Sequence, residues 1–560
     1  MLESLTKQYE NTKLLSYYEK KFFELTKMPS VYYVELSPKQ RLGVLIANFY
    51  YNGKLRQLYT PNDCHCLVVA GTGVGKTTQC FIPQVNSDIE QEKNIFAPDC
   101  KGEIKKSCEG KLKNKGYRDI TINTRDLQES DCYNPMTDIY RSYHRAYNLE
   151  EEVEIVETED GPRNRFQGVV YQDQRTLDRN IKKLRKIMLD DVERKISSFI
   201  RMISPPSGSP NDRIWEEGSR QGLLSLVYCL LEDSRAETSI SENLITEETF
   251  NMSTLIDMFD SLGISEERKC EYLTKRNPDS KALQNARNNF LVYAPTTASS
   301  FMSVAATILA PFRDPAIRHI TSCNSFEFDD LITDKPVALF IIYKDEEPES
   351  YSLISLFIQQ LYVFLIGKAN EMGGRLKRPW YFLLDEFAQL PPLYRFENVI
   401  SACRGREIYF TLAIQSYAQL ENVYGRNTAE IIKDNISVRI FLGSGNYDTL
   451  EAVSKECGKT TILSPLSALN GGDKDHIENY ALETIPLVPI SKLSSLQEGE
   501  AIISVLNSGY TFLSKLERYY KCKELLPIKT EGDIVSAPKV DPFDDKYTYT
   551  FKLKKKPTWR

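Results

Sequence analysis

From about residue 60 onward, short apolar runs alternate with helix-patterned stretches. Runs at 65–70, 94–99, 119–123 and 337–343 are rich in β-branched and aromatic residues, as are those at 381–385, 408–414, 438–442 and 501–506. Most are continuous rather than alternating, as expected of strands covered on both faces. Their interleaving with helices predicts an α/β fold built on a mostly parallel sheet. Between 176 and 319 the period changes to 3.6. There Leu223, Leu224, Val227, Leu230 and Leu231 share one helical face. Phe301, Val304, Ala305, Ile308, Leu309 and Phe312 share another, and Pro311 helps to end that helix. This stretch reads as an all-α domain inserted between strands of the sheet.

The flanks carry weaker signals. Residues 1–60 are mixed and Tyr-rich, without a motif or a transmembrane helix. An acidic segment at 150–160 precedes Gly161-Pro162 and a β-rich run to Tyr171, which predicts a protruding β-hairpin, with a solvated loop as the simpler alternative. The chain closes on Lys552, Lys554, Lys555, Lys556 and Arg560. Such a run is ordinarily a solvated tail; attraction to a membrane surface or to DNA is the second reading. No segment reaches the roughly 18 uninterrupted apolar residues of a bilayer span. The nearest, 353–366, has Gln359 and Gln360 in its middle and reads as a buried core helix.

Composition narrows the classes. With 560 residues, 41% hydrophobic and 26% charged, the chain matches a folded soluble protein of two or three domains. Its formal net charge of −6 gives no bulk signature of nucleic-acid binding, so any DNA contact needs a local basic surface. Twelve cysteines lack a disulfide-like framework and suit free thiols in a reducing cytoplasm. The tight cluster Cys64-His65-Cys66 lacks both the spacing and the second cluster of a metal site.

Chemistry enters at Ala70-Gly71-Thr72-Gly73-Val74-Gly75-Lys76-Thr77. The phosphate-binding loop pattern asks for Gly, four residues, then Gly-Lys-Ser/Thr. Ala70 takes the first glycine's place, while Gly71, Gly73 and Gly75 keep the loop pliable. An apolar strand precedes it, and Thr78 onward continues as a helix that Pro83 bends or stops. Backbone N–H groups of such a loop close round phosphates at the positive end of the helix. Lys76 would reach the β- and γ-phosphates of ATP, and the Thr77 hydroxyl would hold Mg²⁺. Residues 71–78 are thus the candidate nucleotide cradle.

A second strand, 381–385, ends in Asp385-Glu386. Asp385 suits the shell of Mg²⁺, and Glu386 suits the general base that aligns and deprotonates water. Arg404 and Arg406 follow about twenty residues later, on the turn entering the 408–414 strand; such cations either stabilise the transition state or are plain surface arginines. Gln415, at the far end of that strand, is either a γ-phosphate sensor or an ordinary strand-end amide.

Taken in order, these blocks resemble the TraG/TraD-like coupling ATPases of conjugation and type IV secretion. The resemblance rests on His65-Cys66-Leu67-Val68-Val69 leading into the loop, and on Asp99-Cys100-Lys101-Gly102-Glu103, in which Cys100 replaces a family proline. It continues through Tyr133-Asn134-Pro135-Met136, Trp215-Glu216, Asp385-Glu386-Phe387-Ala388 and Arg404-Gly405-Arg406. Gln415-Ser416, Gln419-Leu420 and Phe441-Leu442-Gly443-Ser444 complete it, over about 60 to 520.

The resemblance implies a RecA-like P-loop domain in two parts, 61–175 and 320–530, with the all-α domain at 176–319 between them and a basic tail at 531–560. It implies ATP and Mg²⁺ as cofactors, a homo-hexameric ring, Arg404 as a finger supplied in trans, and Gln415 as a nucleotide sensor. The expected partners are single-stranded DNA with its relaxase and the channel ATPases of a type IV secretion system. The all-α domain would recognise that cargo, and Lys182, Lys183, Arg185 and Lys186 form a basic helix surface that suits the task, although Asp190 and Asp191 favour a plain solvated face. Family members usually begin with a transmembrane pair. Its lack here means either a truncated chain or a separate anchoring subunit, and the expectation is the second: a cytoplasmic protein held at the inner membrane face by that subunit. The alternatives are an FtsK-like double-stranded DNA translocase, and an ATP-binding substrate receptor with little turnover.

Overall fold

The computed structural model describes residues 14–16, 32–33, 43–51, 53–158, 161–205, 212–262, 271–289, 292–465, 480–506, 510–528 and 544–550. The basic residues Lys552, Lys554, Lys555, Lys556 and Arg560 lie outside them, as does most of 1–42.

One ten-stranded sheet organises the chain. Its strands are β1 (Leu14–Ser16), β2 (Cys66–Ala70), β3 (Asn94–Asp99), β4 (Arg118–Asn123), β5 (Val337–Ile342), β6 (Trp380–Leu384), β7 (Ile408–Ile414), β8 (Val438–Gly443), β9 (Glu500–Val505) and β10 (Tyr510–Lys515). They lie side by side as β1-β10-β9-β8-β2-β7-β6-β3-β5-β4. Every pairing from β8 to β4 is parallel, and only β9 runs against its neighbours. The fold is therefore α/β with a mostly parallel sheet, as the continuous apolar runs predicted.

Successive strand residues face opposite sides, and the two sides bury different partners. Leu67 and Val69 belong to one apolar cluster, with Phe96, Phe382 and Phe410. Cys66, Val68 and Ala70 belong to the other, with Ile95, Phe340 and Ile440. The second face is covered by α1 (Ile82–Glu90) and α2 (Glu103–Asn114). Pro83 does not stop the first helix. A π-helical turn, Thr77–Phe81, comes before it, and Pro83 occupies the first turn of α1, where a missing N–H costs nothing.

The first face continues into a helical run between β4 and β5. It comprises α3 (Thr137–Tyr147), α4 (Gln174–Ile203), α5 (Arg213–Asp233), α6 (Met252–Leu262), α7 (Lys281–Asn289), α8 (Pro295–Leu309) and α9 (Pro315–Ile320). Leu223, Leu230, Phe301 and Phe312 are buried in the same cluster as the sheet residues. Helix α10 (Glu349–Glu371) then returns to β6. Among the described residues it is the one helix long and apolar enough to cross a membrane, yet Leu353, Ile354, Phe357, Ile358 and Leu365 are fully buried in the fold.

The acidic stretch forms an antiparallel three-stranded sheet, Glu154–Thr158, Gly161–Phe166 and Val169–Tyr171, a hairpin with one further strand. Phe166 anchors it on Leu177 and Ile181 of α4. Two hairpins went without an expectation: Leu45–Tyr51 with Lys54–Tyr59, and Lys459–Pro465 with Tyr480–Pro486. Their polar residues break the apolar run that marks the central strands.

Candidate nucleotide-binding site

Strand β2 ends at Ala70, which is fully buried and hydrogen-bonded in register opposite Gly443 of β8. The loop proper therefore opens at Gly71, and alanine at the preceding position is compatible with it. Gly71 N–H donates to the Gly443 carbonyl at 2.8 Å, tying the loop to the end of β8. Gly73 and Gly75 have φ of 77° and 107°, which only glycine adopts freely. A Cβ on Gly75 would lie 2.7 Å from Gln79 Nε2, the group that donates to the Val74 carbonyl. Thr78 Oγ1 donates to the Gly75 carbonyl at 3.2 Å. The π-helical turn that begins at Thr77 presents its amino end to this loop, without a side-chain cap.

Strand β6 brings in the acids. Thr77 Oγ1 donates to Asp385 Oδ2 at 2.5 Å, and Asp385 Oδ1 accepts from the Glu386 N–H at 3.1 Å. Burial pushes the Asp385 carboxyl above its ordinary value, while Thr77 and Lys76 pull it back. Glu386 sits in the left-handed region at φ 58°, ψ 38°, an unfavourable backbone for a residue other than glycine. One of its oxygens pairs with Lys76 Nζ. The other accepts from Gln415 Nε2 at 3.1 Å and from Gln389 Nε2 at 3.3 Å. Gln415, just past β7, accepts in turn from Thr72 Oγ1 at 3.2 Å.

These groups line one cavity of about 400 Å³. Its far wall is the Asp99-Cys100-Lys101-Gly102-Glu103 turn between β3 and α2, where Gly102 takes φ 69° and Asp99 accepts from the Lys105 N–H at 2.9 Å. A hydroxyl and a carboxylate converging at Thr77 and Asp385 make the hard oxygen pair that Mg²⁺ prefers. Glycine-rich backbone, a helix amino end and Lys76 suit a polyphosphate. The residues present fit both groups.

Of the residues singled out in the sequence, 71–78, Asp385, Glu386 and Gln415 meet here, and Arg404 does not. Arg404 is exposed on a one-turn 3₁₀ helix, Arg404–Arg406, between α11 (Phe396–Cys403) and β7. That places it at the opposite end of the sheet, about 20 Å from Gln415 by the rise of the intervening strand. Arg406 is held locally, by the Ala402 carbonyl at 2.8 Å and Asn370 Oδ1 at 3.3 Å. On α4, Arg185 is drawn into the Glu150 carboxylate and the Ala146 carbonyl, leaving Lys182, Lys183 and Lys186 exposed. Cys64, His65 and Cys66 are buried, and no metal-holding group of three His, Cys, Asp or Glu occurs among the described residues.

Among the cavity-wall residues that sequence reasoning missed are Tyr343, Asp345, Tyr351, Gln389 and Arg518. Arg518, beyond β10, reaches the same cavity while pairing with Glu498 at 3.2 Å. None belongs to a motif, and each arrives by tertiary folding.

Comparison with known proteins agrees with this picture. The family model described as type IV secretory system conjugative DNA transfer matches residues 26–533. The conjugal transfer protein TraG of Escherichia coli is 26% identical over 199 residues, 34% of this chain and 31% of that protein. Protein VirD4 of Agrobacterium fabrum is 24% identical over 213 residues, 38% of this chain and 31% of its own. The matched stretches thus span about a third of these relatives' length. Among solved structures, the bacterial conjugative coupling protein TrwB lacking its first 70 residues superposes with a TM-score of 0.59 at 14% identity, covering 90% of this chain and 93% of that one. TrwB in complex with the non-hydrolysable ATP analogue ADPNP gives 0.59 at 14% identity, covering 93% and 97%. TrwB has also been solved with ADP and Mg²⁺. At such identities the likeness establishes the fold alone.

Proposed function

Because the chain belongs to the type IV secretory system conjugative DNA transfer family, we propose that it is a coupling ATPase that delivers or pumps single-stranded DNA with its relaxase, or a protein, into a type IV secretion channel. One observation carries the reading. Lys76 and Glu386, 310 residues apart, meet in one cavity with Thr77, Asp385 and Gln415. TrwB, of the same fold, binds ADPNP and ADP with Mg²⁺, which supports ATP and Mg²⁺ here.

In this reading the backbone of Gly71, Thr72, Gly73, Val74, Gly75, Lys76, Thr77 and Thr78 cradles the triphosphate, and Lys76 turns its ammonium from Glu386 toward the phosphates. Thr77 and Asp385 would hold Mg²⁺, which would supply positive charge beside the transferred phosphoryl group. Glu386 then accepts a proton from the attacking water. Gln415, bonded to both Thr72 and Glu386, registers whether the loop is filled. Arg404 is too remote to serve its own cavity, which fits a finger supplied to a neighbour in a homo-hexamer. The helical run at 176–319 is the cargo-recognition unit between the two parts of the nucleotide-binding domain, 61–175 and 320–530. The protein works at the cytoplasmic face of the membrane, beside the channel ATPases.

The test compares ATP turnover of the wild type, Lys76→Ala and Glu386→Gln, with and without single-stranded DNA. Both substitutions should lower turnover by about 10²–10⁴-fold and abolish DNA stimulation, with Glu386→Gln still binding nucleotide. Equal rates in all three proteins would make the chain a nucleotide-binding receptor instead. Arg404→Ala should lose turnover yet bind nucleotide, and mixing it with Lys76→Ala should restore part of the activity.

A further inference from the structure

We propose that Tyr351 and Gln389 are positioning residues for Glu386, and that through them the aim of the carboxylate depends on the seat of helix α10. The inference rests on Glu386 being the general base. Gln389 lies one 3₁₀ turn after Glu386, Phe387–Gln389, and its N–H donates to the Glu386 carbonyl at 2.9 Å. Side chains three apart in such a turn eclipse one another. The Gln389 amide therefore sits over the carboxylate, to which Nε2 donates at 3.3 Å.

An amide at that place must present its NH₂ rather than its oxygen. Tyr351 settles which. Its hydroxyl donates to Gln389 Oε1 at 2.7 Å, with the Asp345 carbonyl a longer second acceptor at 3.2 Å, and this bond, together with a carboxylate that only accepts, keeps Nε2 toward Glu386. Burial and nearby carboxylates push the phenol up to about 12, so it keeps its proton at any physiological pH. The ring is itself braced edge-on against Tyr343 just beyond β5, centroids 5.6 Å apart at 70°.

Tyr351 is also in the first turn of α10, and that helix is pinned elsewhere. Gln360 Nε2 donates to the Pro135 carbonyl at 2.8 Å and its Oε1 accepts from Tyr133 Oη at 2.9 Å; Gln359 Nε2 reaches the Met202 carbonyl of α4 at 3.4 Å. These anchors lie about 13 Å along the helix from Tyr351, by its rise per residue. A shift of α10 over the helical run moves the Tyr351 hydroxyl, and with it the donor that aims Glu386.

The experiment uses the full chain with Tyr351→Phe, Gln389→Met, both together, and each with Glu386→Gln. Misaiming a general base costs kcat rather than substrate binding. Each single variant should lower kcat for ATP on the order of tenfold, with KM within twofold and an unchanged melting temperature. The double variant should be no worse than either, because both break one chain of bonds, and neither should add to Glu386→Gln. Wild-type kcat in both single variants, with Glu386→Gln inactive, would overturn the proposal, and so would losses accompanied by a lower melting temperature. A fully active Glu386→Gln would instead remove the reading of Glu386 on which it stands.

Discussion

The two ends of the sheet hold nearly the same inventory, a lysine with two carboxylates, and use it oppositely. At the carboxyl ends of the strands, Lys76 pairs with Glu386 beside Asp385 over an open cavity, and Glu386 keeps 24% of its side chain exposed. At the amino ends, Lys93 bonds Asp63 at 3.1 Å and Asp88 at 3.2 Å, with exposures of 2%, 2% and 0%. There Tyr381 closes the cage, its hydroxyl bonded to Asp63 and its ring 4.3 Å from the ammonium. Residue type does not separate a working centre from a structural cage. What separates them is room for a ligand and a lysine whose partner water can take over.

The sharpest way to break the comparison is to remove each lysine. Lys93→Met leaves two sealed carboxylates without their cation and should destabilise the fold by about 3–5 kcal/mol, read from urea unfolding. Lys76→Met leaves a carboxylate that water can reach, so the same unfolding curve should move by less than about 1 kcal/mol. Equal losses would mean that the two clusters are both structural.

A smaller effect is expected at His65, beside the sealed end. Its Nδ1 accepts from the Phe410 N–H at 3.0 Å, and burial, with the Arg404 charge adding to it, lowers its pKa to about 4. The folded protein therefore keeps His65 neutral while the unfolded chain takes up a proton below its ordinary 6.5. This stability is whole above pH 6.5 and drains away as pH falls toward 4. Between pH 7 and 5 the loss should be about 2 kcal/mol. His65→Asn retains an acceptor for Phe410 but cannot titrate, and should remove that share of the pH dependence in unfolding curves at the two values.

The smallest effect belongs to the open end. Gly75→Ala forces a side chain into φ 107° and against Gln79, a strain of about 1–2 kcal/mol in the loop. Nucleotide affinity, measured by calorimetry, should fall roughly tenfold while global unfolding stays near wild type.

Much of this was legible in the chain. The central strands declare themselves by unbroken apolar runs, and the loop at 71–77 by glycine spacing before Lys76-Thr77. The acids were found because they end such a run. Tyr351, Gln389 and Arg518 gave no signal: each is a lone polar residue in an ordinary stretch, placed at the cavity only by the sheet order. Asp63, Asp88 and Lys93 were equally silent, since a buried cage has no sequence spacing of its own. Pro83 misled because a proline that ends one helix and one that starts the next look alike until the π-helical turn before it is seen.

The position of β2 has a consequence for synthesis. It is flanked by β7 and β8, so a ribosome releases the phosphate loop long before either neighbour exists. At about 5–20 residues per second, the loop waits roughly 20–70 s for the strand that completes its setting. Until Gly443 emerges, Gly71 has no carbonyl to bind, and the nascent chain cannot form its nucleotide site. A chain cut short before that residue would carry the phosphate-loop motif without the site.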